Sequence, residues 1–229
     1  MKKLIFMLMA VLAFSFASNN LTYASDSKGK LTKADEQSIS EGLAGLGVDE
    51  KTQHKLIKKL ERGELWDSMN PEKIEAVKDQ LVVSEEKPVA KYVFGDGSVL
   101  VNKLELPSTS PYPTLEGGTQ SCGSGYCTFQ NVKVFRDDGL IKCYYYANYT
   151  VLNGAPDYIS NVFSYNITVR GGSYSNPSLK ILIPEEVEGG YPAQAELFYN
   201  WQVTGGLANG LNRLDLYVGH DDYWQAASY

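Results

Sequence analysis

Between residues 139 and 152 apolar and polar positions alternate with a period of two. Ile141, Cys143, Tyr145, Ala147, Tyr149 and Val151 fall on one side, and Leu140, Lys142, Tyr144, Tyr146, Asn148 and Thr150 on the other. Successive strand residues point to opposite faces, so this alternation predicts a half-buried strand. Similar runs lie at about 128–136, 158–170, 178–183, 193–204 and 211–218. Turn chemistry separates them: Asp138-Gly139, Asn153-Gly154, Gly171-Gly172, Gly189-Gly190, Gly205-Gly206 and Asn209-Gly210. Strands at this spacing, with no βαβ rhythm and no internal repeat, predict a mainly β chain built as an antiparallel β-sandwich or small barrel.

Upstream the period changes to that of a helix. Asp49 is a suitable N-cap for a segment through Glu61, with Leu56, Ile57 and Leu60 on one face, Lys58 and Lys59 in the last turn and Gly63 beyond it. Asn70-Pro71 offers a second start, followed by Ile74, Val77 and Leu81 at i, i+3 and i+7. A weaker helix is expected around residues 35–46. The stripes are narrow, so these helices need a partner surface. Residues 91–94 and 98–105 flank Gly95-Asp96-Gly97, which predicts a β-hairpin. The organisation expected is a helical module over 25–105 ending in this hairpin, a Pro/Gly-rich linker and cysteine loop over 106–125, and a β-sandwich over 126–229.

Lys2 and Lys3 precede an uncharged run over residues 4–16 and then small residues up to Ala24. That is the layout of a signal peptide over 1–24, and the run is too short to cross a bilayer. The mature chain is therefore expected to be secreted, with no transmembrane anchor after cleavage. Loss of Lys2 and Lys3 takes the formal charge from −6 to −8, and the acid excess is concentrated in the second half with 14 of the 16 tyrosines. Such a balance argues against nucleic acid, whose phosphates require a basic face.

Export permits disulfides, and three cysteines permit one within the chain. A turn centred on Arg136-Asp137-Asp138-Gly139-Leu140 would set Cys143 opposite Val132 or Val134, far along the ladder from Cys127. Cys122 and Cys127, separated by Gly-Ser-Gly-Tyr, can close a small ring. The expected bond is Cys122 to Cys127, with Cys143 a buried thiol.

Candidate chemistry is sparse. His220-Asp221-Asp222 sets a histidine beside two carboxylates, but adjacent strand residues diverge, and a polar strand end in a turn is the favoured reading. Glu185, Glu186 and Glu188 read as an acidic solvated loop rather than as the facing carboxylate pair that glycoside hydrolysis needs. Asp96-Gly97 and Asp137-Asp138-Gly139 lack calcium-loop spacing. No nucleophile-elbow, zinc-protease, P-loop or dinucleotide motif is present, so no catalytic residue, metal or cofactor is expected. The tyrosines remain. Tyr144, Tyr145 and Tyr146 in succession must serve both faces, so some rings lie outside, where they offer rigid amphipathic contact area. Tyr144, Tyr146, Tyr223 and Trp224 are the candidate binding aromatics.

Two parts of the chain carry a resemblance. Gly45-Leu46-Gly47-Val48-Asp49-Glu50-Lys51-Thr52-Gln53, then Lys59-Leu60-Glu61-Arg62-Gly63-Glu64-Leu65-Trp66-Asp67-Ser68-Met69 and Tyr92-Val93-Phe94-Gly95-Asp96-Gly97-Ser98-Val99, resemble the N-terminal module of a family of uncharacterised secreted proteins of bacilli and actinomycetes. Tyr146-Ala147-Asn148-Tyr149-Thr150 and Asp157-Tyr158-Ile159-Ser160-Asn161-Val162 are similar to the β-rich part that follows in them. The resemblance implies a Gram-positive exported protein and brings no catalytic residues. The function expected is non-catalytic binding of an extracellular protein or glycan. An exported toxin or antagonism factor is one alternative, and a cell-wall hydrolase using Glu185, Asp221 and Asp222 is another.

Overall fold

The computed structural model describes residues 29–105, 118–187 and 190–228. The expected signal segment and the first part of the expected linker lie outside these residues. Four helices come first: α1 (Lys33–Gly45), α2 (Glu50–Glu61), α3 (Pro71–Glu75) and α4 (Lys78–Leu81). Ten strands follow: β1 (Val89–Val93), β2 (Val99–Glu105), β3 (Thr119–Gly123), β4 (Tyr126–Asp137), β5 (Ile141–Leu152), β6 (Tyr158–Val169), β7 (Gly172–Ile183), β8 (Ala193–Val203), β9 (Asn209–Gly219) and β10 (Asp222–Ser228). The result is a mainly β fold of two antiparallel sheets behind a short helical module.

Helix starts follow the capping logic. Thr32 caps α1 in a reciprocal box with Asp35, Asp49 accepts from the Thr52 amide, and Asn70 accepts from the amides of Glu72 and Lys73. The pattern Ile74, Val77, Leu81 does not give one helix. The chain breaks at Val77, with φ −124° and ψ 12°, and restarts as α4. Ile74 and Leu81 still meet in one small cluster with Phe94 and Leu100.

The first sheet runs β1-β2-β4-β5-β6, with β3 also on β4, and the second runs β10-β9-β8-β7. β2 pairs with residues 133–137 of β4, and β3 pairs with residues 126–130 of the same edge. A bulge at Asn131, φ 57°, occupies the gap, and Asn148 Oδ1 accepts from the Asn131 amide at 2.8 Å. This corrects the expected division of the chain. The hairpin β1–β2 is laddered into the same sheet as β4, and part of the expected linker is strand β3. One core joins Ile39, Leu43, Leu56 and Leu60 of the helices to Val134, Tyr145, Leu197 and Leu216 of the strands.

Three further differences have local causes. The β4–β5 turn lies nearer the C-terminus than expected, because Asp138 Oδ1 accepts from the amides of Leu140 and Ile141 at 2.9 and 2.6 Å. Asp137 therefore pairs with Lys142, and Cys143 stands opposite Arg136 rather than Val132 or Val134. Strand β7 begins at Gly172, not near 178. It accommodates Pro177 because it is an edge strand and its register shifts between Ser175 and Ser178, with Asn176 at φ 52°. Strand β10, unexpected from its irregular pattern, is laddered on β9 from Asp222 to Ser228.

Candidate functional site

The parity of β5 separates the candidate aromatics. Tyr145 and Tyr149 are fully buried between the sheets. Tyr144 and Tyr146 are half-buried on the outer side of the first sheet, where the registers bring them together with neighbours on β4 and β6. Phe135 pairs with Tyr144, Lys133 with Tyr146, and Tyr146 with Phe163. Ring centroids lie 5.9 Å apart for Tyr144 and Tyr146, edge to face, and 5.9 Å apart for Tyr146 and Phe163, nearly parallel. Lys133 Nζ lies 4.6 Å from the Tyr144 ring centroid and bridges to Glu105 at 3.4 Å. Lys142 lies 5.9 Å from the Phe135 centroid, and Lys103 pairs with Glu105 at 3.0 Å. Three lysines against one glutamate make this patch locally basic in an acidic chain.

The other two candidates go elsewhere. Tyr223 is 1% exposed and packs against Phe129 and Tyr149, with centroids 5.0 and 4.9 Å away. It is therefore a core residue and not a binding aromatic, since the first β10 residues alternate and Tyr223 takes the inward position. Trp224, half-buried on the opposite outer surface, stacks on Tyr217 at 5.5 Å and stands 6.5 Å from His220. Tyr144 and Trp224 belong to different sheets and form two separate strips.

The cysteines fall as expected. Cys122 and Cys127 are a directly opposed cross-strand pair joined by a disulfide, and Cys143 is a free, buried thiol whose pKa burial pushes up to about 11. A thiol so far from ionisation is not a nucleophile.

His220-Asp221-Asp222 forms the β9–β10 turn, with His220 and Asp221 at φ 60° and 58°. Its partners are remote in sequence. Asp157 Oδ2 accepts from the Asp221 amide at 3.1 Å and Asp157 Oδ1 from the Leu152 amide at 2.6 Å. Glu186 Oε1 accepts from the His220 amide at 3.0 Å and lies 3.1 Å from His220 Nδ1, while Glu186 Oε2 accepts from the Asp157 amide at 3.3 Å. Asp157 has a raised pKa, chiefly through burial and in part through Glu186 and Asp221. Glu186 is thus no solvated loop residue: its carboxylate clasps the β5–β6, β7–β8 and β9–β10 loops at one end of the sandwich. Glu185 forms an isolated bridge with Tyr158, and Asp222 Oδ1 accepts from the Tyr223 amide. The carboxylates of Asp157, Glu186 and Asp222 are engaged with backbone amides, which is the geometry of loop fixation. Among the described residues no group of three His, Cys, Asp or Glu side chains is placed to hold a metal ion, and no helix is long and apolar enough to cross a membrane.

Sequence reasoning missed a polar network in the core. Arg136, 1% exposed, donates from Nη1 to Asn212 Oδ1 at 2.9 Å, and Asn212 Nδ2 donates to the Tyr199 hydroxyl at 2.7 Å. Burial lowers the Arg136 pKa and raises that of Asp138 to about 6, the latter opposed by the Arg136 charge. The signal was present, because Arg136 shares parity with Val132 and Val134.

No protein-family model matches the chain, and no curated protein does. Among solved structures, the crystal structure of a hypothetical protein of Listeria monocytogenes EGD-e is similar with a TM-score of 0.33 and 16% identity. The match covers 64% of this chain and 100% of that one.

Proposed function

We propose that the protein is a secreted, non-catalytic binding protein of a Gram-positive bacterium, engaging an extracellular glycan or protein through the outer aromatic patch of β4, β5 and β6. The observation that carries this reading is the half-exposed quartet Phe135, Tyr144, Tyr146 and Phe163, held in contact by register and edged by Lys103, Lys133 and Lys142. Aromatic rings fixed on a rigid sheet lose little entropy on binding, and they can meet either sugar C–H faces or apolar protein surface. The lysine fringe favours a partner that is neutral or anionic over a cationic one.

The test is retention of the mature chain on whole cells and on components of culture supernatant, compared with Tyr144→Ala, Tyr146→Ala and the double variant. The reading expects retention to fall at least tenfold in the double variant while near-ultraviolet circular dichroism keeps its native form. Unchanged retention by a folded double variant overturns it.

A further inference from the structure

The aromatic quartet is part of a wider face whose order follows from register. Lys103, Phe135, Tyr144 and Asn166 form one cross-strand row over β2, β4, β5 and β6, and Glu105, Lys133, Tyr146 and Phe163 form the next. Lys142 lies in the row on the other side of Phe135, opposite Asp137. Four strands set about 4.8 Å apart give a face roughly 14 Å wide. β2, β4 and β5 are interior strands, laddered on both sides, so their main-chain groups are used within the sheet. At the centre of this face only side chains are on offer to a partner.

The charges of the face are unbalanced. Lys103 and Lys133 share a single carboxylate, that of Glu105, at 3.0 and 3.4 Å. Asp137 is committed elsewhere, to Arg170 at 3.3 Å and to the Gly139 amide. Among the described residues Lys142 has no carboxylate within ion-pair distance, and its ammonium lies 5.9 Å from the Phe135 ring centroid. Lys133 Nζ lies 5.8 Å from the same centroid, from the row on the other side. Phe135 is thus flanked by two ammonium groups. Setting Glu105 against Lys103, Lys133 and Lys142, and Asp137 against Arg170, leaves two positive charges on the face of a chain whose formal charge is −6. Lys133 is only 21% exposed, and a partly desolvated charge gains more from a counter-ion than one in bulk water.

Resting on the reading that this face binds an extracellular partner, we infer that the partner is an acidic polysaccharide carrying carboxylates on its sugar rings. The carboxylates meet Lys133 and Lys142 on either side of Phe135, and the C–H faces of the rings meet Tyr144, Tyr146 and Phe163. A neutral glycan leaves the excess lysine charge without a complement, and a cationic one is repelled by it. An acidic peptide suits the face less well. Extended peptides draw affinity from main-chain bonds to a free sheet edge, and β4 and β5 have none to give. Glu105 is a competitor for the same ammonium groups, so its removal favours the glycan.

Isothermal titration of the mature chain at low ionic strength with hexagalacturonate, hexamannuronate, cellohexaose and hexaglutamate tests the inference. Saturable binding of at least one acidic hexasaccharide is expected, about tenfold tighter than that of cellohexaose or hexaglutamate and falling as salt is raised. Lys133→Gln and Lys142→Gln are expected to weaken it about 2- to 5-fold each, and Glu105→Gln to strengthen it by a similar factor. The gain in Glu105→Gln is a readout that a merely structural role would not produce, and near-ultraviolet circular dichroism checks that all three variants are folded. No saturable binding of either acidic hexasaccharide, equal binding of cellohexaose, or a folded Glu105→Gln that binds no more tightly than the native chain overturns the inference. Tighter binding of hexaglutamate overturns it in favour of an acidic peptide. If any of these results accompanies loss of cell retention in the Tyr144→Ala, Tyr146→Ala double variant, the face remains a binding surface and only the acidic polysaccharide is excluded. Retention that survives the double variant removes the underlying reading as well.

Discussion

Arg136 on β4 reaches across the interior to Asn212 on β9, so that a guanidinium with 1% exposure ties one sheet to the other through a 2.9 Å hydrogen bond. A buried charge is tolerated only where partners replace its hydration. Asn212→Ala removes the acceptor and also deprives the Tyr199 hydroxyl of its donor. The expected loss is about 2 to 3 kcal/mol in urea unfolding. A joint Arg136→Met, Asn212→Leu replacement is expected to recover part of it, because an apolar pair needs no satisfaction. A loss for Asn212→Ala below about 0.5 kcal/mol would show that the bond contributes little.

Two carboxylates give opposite pH dependences. Asp138, raised to about 6 by burial against the opposing charge of Arg136, binds its proton more tightly when folded than unfolded. Its ionisation therefore costs stability as pH rises from about 4 to about 6, the ordinary and the folded values bounding the window. Burial acts on Asp96 in the same sense, but hydrogen bonds from Lys59, Ser98 and the Asp67 amide outweigh it and bring the pKa to about 2. Asp96 accordingly contributes stability above its ordinary value that disappears as pH falls from about 4 to about 2. Thermal midpoints across pH are expected to show Asp138→Asn gaining on the native chain from pH 4 to 6, then running parallel. Asp96→Asn should be destabilised at neutral pH and converge with the native chain in acid. A constant offset across the range for either variant would remove the corresponding assignment.

Much of this arrangement was legible from parity alone. The period-two pattern of β5 separates Tyr144 and Tyr146 from Tyr145, and the caps Asp49 and Asn70 mark helix starts. What was hidden depends on pairings that no local pattern contains. Strand β3 has the composition of a loop and becomes a strand by folding back on Tyr126–Gln130. Tyr223 follows turn residues and looked exposed until the β9 ladder turned it inward. Glu186 gained its role only through loops at 157 and 220.

The inward Tyr223 and outward Tyr144 make a sharp contrast for the same substitution. Tyr223→Ala empties a space bounded by Phe129 and Tyr149, and is expected to cost about 3 to 5 kcal/mol. Tyr144→Ala removes a half-exposed ring from a surface cluster and is expected to cost about 1 kcal/mol or less. Urea midpoints of the two variants decide the matter. Equal costs would mean that Tyr144 is also a core ring, and the binding surface would lose its main residue.

The disulfide staples an exposed strand rather than the core. β3 is exposed along its length, and Cys122–Cys127 closes a ring of only a few residues. A loop of that size predicts about 2 kcal/mol from restriction of the unfolded chain, felt mainly where β3 meets β4. Under dithiothreitol, hydrogen exchange is expected to accelerate in residues 119–130 and stay slow in β8 and β9. Native protein treated with a maleimide at pH 8 should show no labelling of Cys143, followed by one label on denaturation. Rapid native labelling would place that thiol at the surface.

The docking of the helices turns on Gly42. A Cβ there would come within 2.2 Å of the Gly139 carbonyl oxygen and 2.5 Å of the Arg170 side chain, which itself donates to that carbonyl at 3.1 Å. Helix α1 thus lies directly on the β4–β5 turn, with the fully buried Leu43 beside the contact. Gly45, three residues on in the same helix, has open space where its Cβ would go. Helix propensity favours alanine over glycine by up to about 1 kcal/mol at both positions. Gly45→Ala, near the helix end, should therefore be neutral or slightly stabilising. Gly42→Ala must displace a backbone carbonyl or the helix, and overpacking of that kind costs about 1 to 3 kcal/mol. The two variants, compared by thermal unfolding, are expected to move in opposite directions. If both raise the midpoint alike, α1 does not rest on the turn at Gly139, and the helical module is held to the sheets by other contacts.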